Sequence, residues 1–218
     1  MENLKANVSS LWTNICAKDD MKAFEVFFHL LNTRLIKFCI YYIHQKEAAE
    51  EIVSDVFVKC WENRKNLLQI SNPETYLFVA VKNHSLNYLR KYSNIHLVQI
   101  DNSNEVAFVN VYDPQKELEK KELHYLMNQA IESLPPKASI IFRLIKEDGM
   151  KYKEVAEILN ISHRTVQTQL FRAIKKLSVI LVNHHESQKS PGKKTVTLDD
   201  LSSLGAFFIL LHIFFKSL

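Results

Sequence analysis

The most regular pattern of apolar and polar positions in this chain lies between Tyr152 and Leu177. Its first part predicts a short helix with Val155, Ala156 and Leu159 on one face. Its second part repeats apolar residues at steps of three and four, as one face of a longer amphipathic helix does. The apolar positions of that second helix are Val166, Leu170, Ala173, Ile174 and Leu177.

A short break at residues 160–162 separates the two predicted helices. Ser162 suits the N-cap of the second helix, because its hydroxyl can accept a hydrogen bond from a backbone N–H of the first turn. A break this short makes the two helices cross closely. The segment is therefore predicted to be a helix-turn-helix, the unit whose second helix fits the major groove of DNA.

The outward residues of the second helix favour DNA binding. No acidic residue occurs from His163 to Lys176. Arg and Gln side chains pair with purine edges, Thr contacts phosphate or a thymine methyl, and Lys adds sequence-independent attraction to phosphate. The alternative is a packing hairpin with a solvated basic face. The candidate DNA contacts are Ser162, His163, Arg164, Thr165, Gln167, Thr168, Arg172, Lys175 and Lys176.

The segment that follows Asp19 and Asp20 predicts a core helix. These aspartates can cap its N-terminus, and its apolar residues recur at helical spacing. We assign its aromatic side chains to a hydrophobic core and to no other role. The apolar positions are Met21, Phe24, Phe27, Phe28, Leu31, Leu35, Ile36 and Cys39.

Residues 47–64 predict a helix with two unlike faces. One face is apolar at helical period and is expected to be buried; its residues are Ala49, Ile52, Val53, Val56, Phe57 and Cys60. The opposite face would repel phosphate, so it suits a basic protein partner, or it is an ordinary solvated surface. Its residues are Glu47, Glu51, Asp55 and Glu62, with Val58 and Lys59 among them.

A basic helix is predicted to begin at Pro73, after a loop at residues 65–71. Proline suits the first helical position, and no acidic residue follows Glu74 in this helix. Basic groups interleaved with aromatic rings suit single-stranded DNA, because bases stack on rings while cations follow the backbone. For the rings, core packing is the alternative. The polar candidates are Lys82, Asn83, His84, Asn87, Arg90 and Lys91, and the rings are Trp61, Tyr76, Phe78 and Tyr88.

Residues 93–115 lose the helical period and contain a run of turn-forming residues, which predicts a linker between two domains. Helical patterning resumes at residues 116–134 and ends at Pro135 and Pro136. A further helix is predicted at Lys137–Lys146, and Gly149 is a candidate C-terminal stop. The second domain is expected to end near Val182.

Composition supports an all-helical protein and excludes several functions. The 218 residues include only 3 Gly and 5 Pro, which favours helices and rules out the glycine-rich loops GxGxxG and GxxxxGK[ST]. The net charge of +4 is mild but unevenly spread. No nucleophile, catalytic carboxylate pair or metal cluster stands out, so no enzyme activity, cofactor or metal is expected. Cys16, Cys39 and Cys60 are interpreted as reduced core residues of a cytosolic protein.

The two ends of the chain also carry expectations. The N-terminal residues lack the pattern of a secretory signal. Asn183–Lys194 is polar and predicts a flexible hinge, and Leu204–Phe215 is almost unbroken in its apolar character. As a helix, this apolar run covers little more than half of a hydrocarbon core of about 30 Å. A docking segment is therefore expected, which could lie in a membrane interface, fold back on a domain or bind another protein.

Four stretches together resemble the sigma-70 family of bacterial RNA polymerase sigma factors, in particular the extracytoplasmic-function group. They are Ala23–Phe28, Ala48–Arg64, Pro73–Lys91 and Ile131–Leu177, and they occur in the family order and with the family spacing. The resemblance implies an all-α protein of two small helical domains joined by a flexible linker. The domains would be sigma region 2 at residues 19–92 and sigma region 4, with the helix-turn-helix, at residues 116–182.

The resemblance also implies how the protein works. It would bind core RNA polymerase, recognise the −35 and −10 promoter elements and aid strand opening, while catalysis stays with the polymerase. Glu51, Asp55, Val58 and Glu62 would grip the clamp helices of the largest subunit. The loop Lys65–Asn72 would capture a flipped −10 base, and the second domain would lie near the polymerase flap. The strand-opening residues would be Lys82, Asn83, Asn87, Arg90 and Lys91, and the helix from Ser162 would read the −35 element.

Further partners and a location follow from the same resemblance. Such factors are monomeric on polymerase, cytoplasmic and commonly held by a membrane-anchored anti-sigma factor. The apolar tail matches members from Bacteroidetes and would allow peripheral membrane association.

Two other functions fit parts of the pattern. A helix-turn-helix regulator would bind operators without polymerase. A membrane-associated adaptor would use the tail and keep the helix-turn-helix only for packing.

Overall fold

The structure is a computed structural model that describes residues 2–92 and 125–189, and the side chains of residues 7–92 and 125–180. Within these ranges all regular secondary structure is helical, which confirms the all-α prediction. The helices are α1 (Glu2–Lys18), α2 (Met21–Ile43), α3 (Lys46–Glu62), α4 (Pro73–Tyr92), α5 (described over 125–132), α6 (Pro136–Lys146), α7 (Tyr152–Leu159) and α8 (His163–Lys189).

The first of two compact units contains α1 to α4 together with the segment Asp148–His163. Helix α2 is its central element and contacts α1, α3 and α4. By length and composition α2 would also be long and apolar enough to cross a membrane. Its apolar residues pack instead in the core of this unit. Those buried in α2 are Ala23, Phe27, Leu31, Leu35, Phe38, Cys39 and Ile43.

The start of α2 follows the prediction in part. The carboxylate of Asp20 accepts hydrogen bonds from the backbone N–H groups of Lys22 and Ala23, at 3.0 and 3.1 Å, and so caps the helix. Asp19 has a different role, because its backbone is left-handed at φ 53° and its side chain turns to Arg64. Pro73 opens α4 as predicted, and Asn72 Oδ1 accepts from the Thr75 N–H at 3.1 Å.

A charged cluster joins α2, α4 and the segment that leads into α7. The Arg34 guanidinium donates to Asp148 Oδ1 at 2.7 Å, to the Asp148 carbonyl at 3.2 Å and to Glu74 Oε1 at 2.7 Å. Burial by itself lowers the pKa of Arg34, but the two carboxylates outweigh it and raise that pKa. Burial raises the pKa of Asp148, and Arg34 opposes the change. Arg34 therefore joins the two carboxylates in one ion-pair cluster.

The second compact unit contains α5, α6 and the part of α8 from Arg164 onward. The Lys176 ammonium donates to the Ser133 carbonyl at 2.6 Å, which ties α8 to the end of α5. The predicted stripe of α8 is buried except for Ile174, which is half-buried. The core residues of this unit include Met127, Ile131, Leu134, Ile141, Phe142, Leu144, Val166, Leu170, Ala173 and Leu177.

Some predicted details of burial and helix boundaries are wrong. In α7, Ile158 is buried, whereas Leu159 was expected to be. Helix α6 begins at Pro136, one residue before the predicted start. Helix α8 continues to Lys189, so residues 183–189, predicted as hinge, are helical. The reason is that this stretch contains neither proline nor glycine and therefore lacks a stop signal. The predicted linker at 93–115 and the apolar run 204–215 lie outside the described residues.

Helix α1 was not predicted, although its burial follows a helical period. Val8, Trp12, Ile15 and Cys16 are buried at steps of four, three and one. Asn and Ser occupy many of the positions between them, and these residues are weak helix formers. The three cysteines are free thiols in the core, as expected from their apolar surroundings.

We expect Arg34→Met to lower the free energy of unfolding by about 3 kcal/mol, because two largely buried carboxylates lose their counter-charge. Both tryptophans, Trp12 and Trp61, lie in the first unit, so their fluorescence during urea denaturation reports on that unit. The control is Lys46→Met, which removes an exposed ion pair with Glu50 at 3.7 Å and should cost about 0.5 kcal/mol or less. Equal losses for the two variants would show that the Arg34 cluster adds nothing to stability.

Candidate nucleic-acid and protein interfaces

The outward face of α3 carries four carboxylates around one apolar side chain. All five side chains are exposed, and Val58, at 55% exposure, lies among the charges. Their steps of three and four residues place them along one side of the helix, opposite the apolar face that is buried in the core. We name this surface the acidic stripe. It consists of Glu47, Glu51, Asp55, Val58 and Glu62.

His84 of α4 lies beside the acidic stripe and not among the exposed basic groups of its own helix. It is half-buried. Its pKa is lowered by desolvation and by the charge of Lys59, while Asp55 opposes the shift. Desolvation and the charge of Lys59 therefore both favour the neutral form of the imidazole.

The loop between α3 and α4 starts with a stacked arginine. The Arg64 guanidinium lies 4.0 Å from the centroid of the Trp61 ring and donates to the Trp61 carbonyl at 2.7 Å. It also donates to Asp19 Oδ1 at 2.6 Å. Further along, Leu68 is 51% exposed. Trp61 is thus engaged with Arg64, and the loop presents an apolar side chain near its middle.

The exposed face of α4 is polar and basic toward its C-terminal end. Asn83, Asn87, Arg90 and Lys91 are all exposed, and their spacing places them on one side of the helix. Arg90 Nη1 donates to Asn87 Oδ1 at 3.2 Å, and the Lys91 ammonium lies 5.5 Å from the centroid of the Tyr92 ring. The structure therefore brings four of the five predicted strand-opening residues together. We name them the α4 basic face.

Lys82 lies on another side of α4 and is separated from that face. Its ammonium is half-buried and donates to the Ile158 carbonyl, in α7, at 2.6 Å. Desolvation lowers the pKa of Lys82. Neighbouring Asn72 makes a similar contact, since its Nδ2 donates to Glu154 Oε1 at 3.1 Å. In this structure α7 thus occupies one polar group of α4 and one at the end of the loop.

The aromatic residues near α4 divide between core and surface. Phe78 is completely buried, which settles its predicted alternatives in favour of the core. Tyr76 is half-buried beside Trp12, and burial raises its pKa. Tyr88 is also half-buried, with its hydroxyl 3.5 Å from Gln45 Oε1 and its ring centroid 4.4 Å from that of Tyr92.

The outward face of the N-terminal half of α8 is polar and basic apart from Phe171. Among the predicted DNA contacts from Ser162 onward, all are exposed except Thr165, which is half-buried. The Thr168 hydroxyl donates to the Arg164 carbonyl at 2.9 Å, which orients it along the helix. The first turn contains no acidic residue. We name the following set the α8 basic face: Arg164, Gln167, Thr168, Arg172 and Lys175.

Phe171 is an unpredicted member of this surface. Its side chain is 69% exposed, and its spacing from Thr168, Arg172 and Lys175 places it on the same side of α8. The signal was present in the sequence, because position 171 falls outside the apolar stripe of this helix.

Trp12 and Asp19 were also missed, as neighbours of the loop between α3 and α4. Their contacts are with residues far away in the sequence.

In the described parts of the chain, no group of three or more His, Cys, Asp or Glu side chains is placed to hold a metal ion.

The three surfaces differ in charge. One is anionic with an apolar centre, and two are cationic.

Comparison with protein families gives two matches. The family described as Sigma-70 region 2 matches residues 27–95, and Sigma-70, region 4 matches residues 125–177. Together they cover more than half of the chain.

Individual relatives agree with these matches. The ECF RNA polymerase sigma-E factor of Escherichia coli (strain K12) is 24% identical over 163 residues, which cover 72% of this chain and 85% of the relative. The RNA polymerase sigma-H factor of Pseudomonas aeruginosa is 20% identical over 163 residues, with 72% and 84% covered.

Solved structures share the fold. One is the sigma factor RpoE in complex with the anti-sigma factor NepR from Bartonella quintana, with a TM-score of 0.56, 22% identity and coverage of 74% of this chain and 98% of that one. Another is CnrH in complex with the cytosolic domain of CnrY, with a TM-score of 0.52, 17% identity and coverage of 81% and 98%.

These matches confirm the family expected from the sequence, while the Bacteroidetes lineage stays a prediction. The chain belongs to the sigma-70 family of RNA polymerase sigma factors and, within it, to the extracytoplasmic-function group, which directs promoter-specific initiation of transcription by core RNA polymerase.

Proposed function

We propose that the three surfaces divide the work of promoter recognition. The acidic stripe of α3 binds the clamp helices of the largest polymerase subunit. The α4 basic face holds the non-template strand of the −10 element, and the α8 basic face reads the −35 element. One observation carries the proposal: an exposed anionic surface and two exposed cationic surfaces lie on three different helices in the part of the chain that the structure describes. Each can therefore face a different partner.

The acidic stripe has the properties of a protein interface. Val58 provides an exposed apolar centre, and the carboxylates around it provide a charged rim, an arrangement common in protein–protein contacts. Phosphate would be repelled by the same carboxylates. A basic helical surface on the polymerase is the partner whose charge fits.

At the −10 element, binding free energy is converted into strand separation. Unstacking a base costs a few kcal/mol, and stacking of a base on an aromatic ring returns about 1–3 kcal/mol. We assign base capture to the loop Lys65–Asn72 and the backbone contacts of the displaced strand to the α4 basic face. Lys82 joins them only after its ammonium leaves the Ile158 carbonyl.

At the −35 element, the α8 basic face combines two kinds of contact. Arg164 and Gln167 carry groups that pair with base edges. Lys175 supplies a point charge for phosphate. Ser162 and His163, at the start of α8, lie where the helix N-terminus favours a phosphate group.

The remaining partners follow from the family. We infer that the chain is monomeric when bound to polymerase, contacts the flap near region 4, carries out no catalytic step and resides in the cytoplasm. RpoE and CnrH were solved in complexes with the anti-sigma factor NepR and the cytosolic domain of CnrY. These complexes support the proposal that this chain too is held by an anti-sigma factor, anchored in the membrane. The apolar run at residues 204–215 is a second candidate for peripheral membrane attachment, beside the anti-sigma factor.

Run-off transcription with purified core polymerase on genomic fragments tests the function as a whole. We expect defined start sites that appear only when the chain and core are both present. An independent helix-turn-helix regulator would instead bind specific fragments without core polymerase, and that result would contradict the proposal.

The first residue-level prediction concerns the acidic stripe. We expect Asp55→Ala to weaken binding to core polymerase about fivefold to tenfold, the loss typical of an interface residue that contributes more than about 1 kcal/mol, without altering the choice of promoter. Fluorescence anisotropy of labelled chain titrated with core measures the affinity. Glu25→Ala, which removes an exposed carboxylate from α2, is the matched control and should leave binding unchanged. Unimpaired assembly of the Asp55 variant would refute the clamp assignment.

The second prediction separates base reading from phosphate attraction on α8. We expect Arg164→Ala to cost about 1–3 kcal/mol on the preferred −35 sequence and to flatten the preference among −35 variants. Lys175→Ala should weaken binding to all sequences alike and reduce the salt dependence. Holoenzyme binding to a set of −35 variants at two salt concentrations measures both effects. If the two variants behave alike, α8 does not read bases through Arg164.

A further inference from the structure

Helix α1 contributes no residue to the acidic stripe, the α4 basic face or the α8 basic face. It lies outside the two family matches, which begin at residues 27 and 125. Its buried residues contact α2, and it also touches α4 and the 3-10 turn Arg64–Asn66. Apolar packing explains its attachment to α2. It does not explain why two polar groups from α1 and from the turn after it reach the loop between α3 and α4.

The first of these groups is the indole N–H of Trp12. Trp12 is only 3% exposed, and its Nε1 donates to the carbonyl of Leu67 at 3.2 Å. The same carbonyl accepts from the Ile70 N–H at 3.0 Å, which closes a tight turn over Leu68 and Gln69. Trp12 therefore holds the oxygen that defines the turn. A buried indole N–H needs such a partner, so the positions of α1 and the turn are coupled.

The second group is the carboxylate of Asp19, between α1 and α2. It accepts from Arg64 Nε at 2.6 Å and lies 3.5 Å from the Lys65 ammonium. The hydrogen bond from Arg64 is the main cause that lowers the pKa of Asp19. Arg64 is also stacked on the Trp61 ring and donates to the Trp61 carbonyl. Three contacts of Arg64, one with Asp19 and two with Trp61, therefore fix the start of the loop.

The loop is thus fixed at its start and at Leu67, while the residues of the turn stay open. Leu68 and Gln69 are exposed, as is Ser71. At the far end, Asn72 caps α4 through the Thr75 N–H. Exposed side chains on a turn that is held at both ends form a preorganised surface, which loses little freedom when it binds.

We propose that Trp12 and Asp19 are positioning residues for the −10 element: they fix the turn Leu67–Ile70 in the conformation that accepts a flipped base. This inference rests on the proposed function of the loop and extends it to a helix outside the family matches. Neither residue touches DNA. Both act through the backbone and the arginine that shape the loop.

The test uses holoenzyme assembled from core polymerase and the full chain. Trp12→Phe keeps a buried ring but removes the N–H donor, and Asp19→Ala removes the carboxylate at a partly exposed position. The readout is binding to single-stranded non-template oligonucleotides that carry each of the four bases in turn at every −10 position. We expect both variants to reduce the preference for the best base about fivefold, because a loop that is less fixed loses more conformational entropy when it binds the base. Affinity for core should stay unchanged.

Ile15→Val is the matched control. Ile15 is fully buried in α1, so this substitution lowers the stability of the packing but removes no hydrogen bond to the loop. We expect this control to keep the base preference of the original chain. The inference is overturned if the control loses as much preference as Trp12→Phe, or if both test variants keep the full preference. If the unaltered chain shows no base preference at any −10 position, base capture by the loop is wrong, and the positioning role falls with it.

Discussion

The central position of α2 decides which surfaces this protein can offer. Three helices pack around it, and its buried residues extend from Ala23 to Ile43 along its whole length. Each neighbour must turn its apolar face inward, so its opposite face is left to solvent. For α3 that opposite face is the acidic stripe, and for α4 it includes the α4 basic face. The separation of charge between the two helices is therefore a consequence of how both are packed on one apolar helix.

The sequence predicts best those features that depend on local periodicity. The buried faces of α3 and α8 were predicted except for Ala48, which was missed, and Ile174, which is only half-buried. They could be predicted because burial at steps of three and four is visible in a single segment. The same pattern indicated the exposed carboxylates and the exposed residues of α8. Helix α1 escaped prediction since Asn and Ser, which are weak helix formers, lie between its apolar residues. The extension of α8 to Lys189 escaped because absence of a stop signal is weak evidence for a helix.

Contacts between distant segments could not be predicted from periodicity. Lys82 was grouped with Asn83 and Asn87 by its charge and its neighbours in the sequence, yet its hydrogen-bond partner is 76 positions away. Trp12 and its partner Leu67 are 55 positions apart. The periodicity of a sequence indicates which face of a helix is apolar. It does not indicate which polar groups of distant segments will form hydrogen bonds with that helix.

The hydrogen bonds that reach α7 and its preceding turn have a common character. Arg34, Asn72 and Lys82 each donate to this segment, and their acceptors are Asp148, Glu154 and Ile158. Each of these bonds has a charged donor or acceptor, and such a bond contributes about 1.5–3 kcal/mol net, more than a neutral one. The attachment of α7 to α4 and to the end of the loop therefore depends on charged groups, whereas α1 to α4 are held together by the buried apolar side chains of their core.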